Sequence, residues 1–181
     1  MSKIFIFLAS GFEETEAIVP IDILRRAGLE VETVSITSQK EVPGSHEITV
    51  VADSLFEDTD FSGGEMLILP GGMPGAKNLG EHTGLKKLIE NYHVQGKYIS
   101  AICAAPMVLG EMGLLKGEKA ISYPGYEKHL LGAQVAEERV VLSNKFITAK
   151  GPGVAIEFAF QLVEILKGKS IAEEIASAFI A

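Results

Sequence analysis

Cys103 is the sole thiol in a chain of 181 residues. It follows the apolar run Lys97–Ile102 and precedes Ala104-Ala105-Pro106, which reads as a strand passing into a helix with proline near its start. A tight strand-to-helix turn exposes its central side chain and sets it near unpaired backbone N–H groups. Those groups and the helix dipole favour a thiolate, lowering its pKa below the free value of about 8.5 and making it nucleophilic at neutral pH. The alternative is a small buried residue, the common fate of a free cysteine. Hydrolase elbows place glycine two residues to either side of the nucleophile; here those positions are Ala101 and Ala105.

Two other segments follow strand-like runs. Pro70-Gly71-Gly72-Met73-Pro74-Gly75 lacks both glycine patterns of nucleotide binding. It is either an ordinary βα turn or a loop whose Gly72 N–H approaches a developing oxyanion beside that of Ala104. In Ser10-Gly11-Phe12-Glu13-Glu14-Thr15-Glu16, Glu13 and Glu14 read as acids at a helix start. Glu16 is followed by Ala17-Ile18-Val19, which implies partial burial and a raised pKa. A protonated Glu16 can hydrogen-bond a thiolate and shuttle protons. His46, His82, His93 and His129 show no paired-ligand spacing, so no metal site is expected.

The elements that must position these groups alternate along the chain. Lys3–Ala9 is a short run apolar on both parities, as a strand covered on two faces requires; Leu29–Ile36 reads as the next strand, and Glu65–Leu69 and Lys97–Ile102 as further buried ones. Between them lie helix-period stretches over Glu13–Ala27, with a kink or late start at Pro20, over Leu79–Gln95, and from about Ala105 to Gly113. Ser45–Ala52 reads as a short β excursion and Asp53–Gly64 as a polar connection. Lys119–Tyr123 is strand-like, and Ser143-Asn144-Lys145 joins a β-hairpin. Val154–Leu166 and Ile171–Phe179 are the last helices. The pattern predicts an α/β sandwich with a mostly parallel sheet, and nothing divides residues 1–181 into two domains.

Composition excludes several classes. The chain carries 16 basic and 24 acidic residues, a net charge of −8, which suits neither nucleic acid nor anionic membranes. Its longest aliphatic and aromatic run, Ile4–Ala9, is too short to cross a bilayer. The chain opens directly into a strand, which leaves no signal peptide, and one cysteine fits a reducing cytoplasm.

Four separated motifs, G-F-E-E-T-E-A-I-V-P-I-D-I-L-R-R-A-G, L-I-L-P-G-G-M-P-G-A-x-N-L, I-S-A-I-C-A-A-P and A-K-G-P-G-V-A-I-E-F-A, resemble the DJ-1 family within the DJ-1/ThiJ/PfpI superfamily. The resemblance covers almost the whole chain. It implies a flavodoxin-like three-layer sandwich and a homodimer with active sites near the subunit interface. It places the nucleophile at Cys103, its glutamate partner at Glu16, oxyanion-type donors at Gly72 and Ala104, and at Arg26 a residue reaching the partner's site. Family members with a histidine near the cysteine carry it where this chain has Tyr123, so Tyr123 is expected as a wall and no Cys–His pair is implied. Val154 stands where the best-known relatives have threonine.

The implied activity is that of a cofactor-independent cysteine enzyme acting on a small aldehyde or a glycated substrate, similar to glyoxalase III or deglycase. The alternative is a non-catalytic redox sensor or stress chaperone in which Cys103 is oxidised to a sulfinic acid. An amidotransferase or peptidase needs the missing Cys–His pair. A phosphoacceptor receiver domain needs aspartate where Glu65–Leu69 runs into Pro70.

Overall fold

The computed structural model describes residues 3–181. In chain order the elements are β1 (Lys3–Leu8), α1 (Glu14–Arg26), β2 (Glu30–Ser35), β3 (Glu41–Pro43), β4 (Thr49–Val51), β5 (Ser54–Leu55), β6 (Gly64–Leu69), α2 (Gly75–Glu81), α3 (Thr83–Val94), β7 (Tyr98–Ile102), α4 (Pro106–Glu111), β8 (Lys119–Ala120), β9 (Gln134–Val135), β10 (Val140–Ser143), β11 (Phe146–Ala149), α5 (Ala155–Lys167) and α6 (Lys169–Phe179).

Seven strands form the central sheet in the order β10-β11-β7-β6-β1-β2-β5. Every pairing is parallel except β10 with β11. Ile4–Leu8 of β1, Met66–Leu69 of β6 and Ile99–Ile102 of β7 are fully buried, which explains runs with no polar parity: each is covered on both faces. On one side α1 packs on α5 and α5 on α6; on the other α2 packs on α3 and α4. This is the expected flavodoxin-like sandwich. The strands carrying the candidate residues, β1, β6 and β7, are adjacent at its centre. Their carboxyl ends therefore open side by side, where ligands of such sheets sit.

Several sequence-based boundaries change. α1 runs unbroken from Glu14 through a buried Pro20, so Pro20 does not delay the helix start. Leu79–Gln95 is not one helix: α2 ends and α3 begins at His82, whose Nδ1 accepts the Leu85 N–H at 2.9 Å. His82 is thus a cap rather than a surface residue. The polar connection conceals β5, a two-residue edge strand beside β2. The β excursion becomes an antiparallel hairpin of β3 and β4 with residues 44–48 at its tip. Lys119–Tyr123 contributes only Lys119–Ala120 as strand, paired with β9.

Candidate active site

Strand β7 ends at Ile102, and Cys103 turns the chain with φ 65, the left-handed region that a residue with a Cβ seldom occupies. The turn is held from both sides. The Cys103 N–H donates to the Ala149 carbonyl at 2.9 Å, and its carbonyl accepts the Tyr123 N–H at 2.8 Å. Cys103 is 9% exposed, and the backbone N–H groups of Gly72 and Ala104 lie near the sulfur and favour its charged form. Non-glycine strain of this kind persists only where surrounding contacts over-determine it.

Glu16 is fully buried on the first turn of α1. Its Oε2 accepts the Gly71 N–H at 2.8 Å, its carboxyl faces the Cys103 thiol, a weak donor, and among the described residues Oε1 has no hydrogen-bond partner. Gly71 is the hinge of the arrangement. A Cβ built on it would lie 2.6 Å from Glu16 Oε2 and 2.7 Å from the Cys103 Cβ. Only a glycine lets acid and thiol meet across this strand end. Gly72 has φ 84, and a Cβ there would lie 2.7 Å from the Gly11 carbonyl oxygen, so its N–H is aimed by a backbone path closed to other residues.

Burial pushes the Glu16 carboxyl up to about 7, against the hydrogen bonds from Cys103 and Gly71 that favour its charged form. Burial also pushes the Cys103 thiol up to about 12, reinforced by the Glu16 charge and hydrogen bond and opposed by the Gly72 and Ala104 N–H groups. The expected thiolate at neutral pH is therefore corrected. Two backbone donors and a six-residue helix do not outweigh desolvation beside a carboxylate.

Tyr123 is 46% exposed. Its ring lies over Gly151, where a Cβ would sit 3.1 Å from the Tyr123 Cδ2, and it lines a cleft of about 440 Å³ with Arg139, Lys150 and Val154. A second cleft of about 440 Å³ is bounded by Met73, Met107, Tyr126 and Lys128. A groove of about 540 Å³ between α5 and α6 touches none of the residues around Cys103. Arg26 ends α1, about 15 Å along the helix from Glu16 at 1.5 Å per residue. Its Nε pairs with Asp22 at 3.0 Å and its guanidinium lies over the Phe179 ring.

Glu13 and Glu14 stand at the start of α1, as their sequence position implies, but their long-range contacts are not legible there. Glu13 caps α1, its Oε2 accepting the Glu16 N–H at 2.8 Å, while its own N–H donates to the Gly71 carbonyl. Glu14 is 7% exposed and faces the β3–β4 hairpin, where it meets His46. Glu13, Glu14 and His46 offer ligand atoms within 4.8 Å of one another, a cluster that linear histidine spacing does not reveal; Glu14 and His46 already bond to each other, and Glu13 to the Glu16 N–H.

An acid and a strained thiol facing each other across a glycine loop, on a flavodoxin-like sheet, define the class to which comparison then gives its family. The DJ-1/PfpI family model matches residues 2–165, and the chain belongs to that family. The DJ-1 homolog B of Arabidopsis thaliana is 39% identical over 180 residues, 98% of this chain and 41% of that protein, so the chain spans less than half the length of this relative. A protein of Caenorhabditis elegans named glutathione-independent glyoxalase DJR-1.2 is 35% identical over 157 residues, 86% of this chain and 83% of that protein. The solved structure of oxidized Toxoplasma gondii DJ-1 superposes with a TM-score of 0.96 at 39% identity, covering 99% and 98% of the two chains. Among the described residues no helix is long and apolar enough to cross a membrane.

Proposed function

We propose that the protein is a cofactor-independent cysteine enzyme that converts small α-oxoaldehydes to hydroxy acids, with Cys103 as nucleophile and Glu16 as proton carrier. The observation that carries this reading is the meeting of Glu16 and Cys103 across Gly71, with the N–H groups of Gly72 and Ala104 at the sulfur. The name of the Caenorhabditis elegans relative supports it. Above about pH 7 Glu16 is a carboxylate beside a neutral thiol. It takes the thiol proton as the sulfur bonds to the aldehyde carbon of methylglyoxal, and the Gly72 and Ala104 donors hold the resulting alkoxide. Reprotonation gives a hemithioacetal. Glu16 then removes the proton from the former aldehyde carbon and returns it to the neighbouring carbon, while the hydroxyl proton of the hemithioacetal passes to the former ketone oxygen, leaving a thioester of lactate. Water cleaves the thioester, releasing lactate and the thiol. The same attack serves a glycated substrate whose adduct regenerates the carbonyl.

On this reading the enzyme works in a reducing compartment, the cytoplasm, as a homodimer of about twice 19.4 kDa. Tyr123 walls the site, and Arg26 reaches the partner only by leaving Asp22 and Phe179. Methylglyoxal consumption and lactate formation test the chemistry. Turnover is expected in the parent and none in Cys103→Ala; turnover retained in that variant overturns the assignment. The unpartnered Glu16 Oε1 favours a second reading, because a protonated oxygen there can donate to a cysteine sulfinate. A peroxide-dependent gain of about 32 Da at Cys103 with no aldehyde turnover replaces the first reading by this sensor.

A further inference from the structure

We propose that Glu14 and His46 form a clamp that positions the Gly71–Gly72 loop over Cys103 from outside the reactive pair. The inference takes Cys103 as the reactive centre of the reading above and concerns what holds its surroundings.

Three layers of backbone are stacked beside the sulfur. The outermost is the tip of the β3–β4 hairpin. Its Pro43 carbonyl accepts the Gly11 N–H, and its Ser45 N–H donates to the Phe12 carbonyl, both at 2.8 Å. The middle layer is the segment from Gly11 to Glu13. Its Glu13 N–H donates to the Gly71 carbonyl at 3.0 Å, and its Gly11 carbonyl accepts the Gly75 N–H at 3.1 Å. The innermost is Gly71–Gly72, whose first N–H donates to Glu16 and whose second lies near the sulfur and favours its charged form. The contact is too close for side chains: a Cβ on Gly75 would lie 2.6 Å from the Phe12 nitrogen. Displacing the middle layer therefore displaces the Gly72 N–H.

What presses the outer layer down is Glu14. Its Oε1 accepts the His46 N–H at 2.7 Å. Its Oε2 accepts the Ser45 hydroxyl at 3.3 Å and pairs with His46 Nδ1 at 2.8 Å. Gly44 passes directly beneath the carboxyl, where any Cβ would overlap it. A hairpin of two three-residue strands is marginal alone, so this side-chain anchor decides where it lies. Glu14 and His46 touch neither Cys103 nor Glu16 through their side chains; their role is positioning.

The groups facing the imidazole are Glu14 and Glu13 on α1, and Glu14's hydrogen bond raises the His46 pKa. The ion pair is complete at acid pH and is lost as His46 deprotonates, so the clamp loosens with rising pH. The test is the rate of Cys103 alkylation by iodoacetamide from pH 5.5 to 9 in the full chain, a readout that needs no aldehyde. The His46 side chain is 68% exposed, so its replacement leaves the core intact. His46→Ala is expected to slow alkylation about two- to fivefold in the acid arm, the scale of a solvent-facing ion pair, with the difference closing in the alkaline arm. His46→Arg is expected to restore the parent rate in the acid arm and to keep its advantage over His46→Ala throughout the alkaline arm, where the parent loses its own. Identical rates and pH profiles for the parent, His46→Ala and His46→Arg overturn the clamp. A clamp effect on alkylation without methylglyoxal turnover in the parent sinks the aldehyde reading and leaves the clamp standing.

Discussion

Glu14 and Glu16 lie two residues apart on the first turn of one helix, 7% and 0% exposed, yet burial has opposite outcomes for them. Residues at this spacing point to different sides of a helix. Glu14 meets the hairpin, where His46 supplies a ring nitrogen and an N–H and Ser45 a hydroxyl. Burial raises its pKa, but the bonds from His46 more than offset that and hold it at about 2. Glu16 faces the interior with one backbone donor and one thiol, and burial carries it to about 7. The number and strength of donors, more than depth alone, separate a structural carboxylate from a proton carrier.

The largest effect expected follows from removing the proton carrier. Glu16→Gln should lower methylglyoxal turnover by about 10²–10⁴-fold, the usual contribution of a positioned general base, in a kinetic assay above pH 7. It should also change stability with a definite sign. A carboxyl whose pKa is raised by folding stabilises below its unfolded value of 4.5 and loses that contribution as pH rises through about 7. Denaturant titrations should find Glu16→Gln gaining on the parent between pH 5 and pH 8 by an amount on the order of 3 kcal/mol. A constant difference would mean that the acid is not held protonated by burial.

The opposite slope is expected for Glu14→Gln. A pKa depressed by folding stabilises above 4.5 and loses the contribution as pH falls toward about 2. The variant should cost about 2–3 kcal/mol at pH 7 and little near pH 2.5, read from urea midpoints across that range. Equal costs at both ends would erase the contrast between the two acids. The smallest effect belongs to Tyr123→Phe. Its hydroxyl makes no bond to another described residue and the ring stays over Gly151, so turnover and stability should move by less than about 0.5 kcal/mol. Abolished turnover in Tyr123→Phe would shift the proton-carrying role away from Glu16.

Much of this site is legible in the residues themselves. Three strands apolar on both parities place Glu16, Gly72 and Cys103 at neighbouring strand ends, and proline after Cys103 marks a helix start. What escapes is long-range. Glu14 and His46 are 32 residues apart, and no local period announces that a hairpin tip returns to α1. His82 hides the break between α2 and α3 because its side chain, not glycine or proline, caps the new helix. The thiol's ionisation was misjudged from local donors, since the opposing carboxylate and the depth of burial belong to the assembled core. β5 escapes because two residues are too few to show a pattern.

Gly71 separates what the two reactive groups are from how far apart they stand. A methyl group at this position would occupy the space shared by the Glu16 carboxyl and the Cys103 Cβ without changing either side chain. Gly71→Ala is thus a spacer change, inserting distance while leaving every reagent in place, and it distinguishes chemistry that needs contact between acid and sulfur from chemistry that needs the sulfur alone.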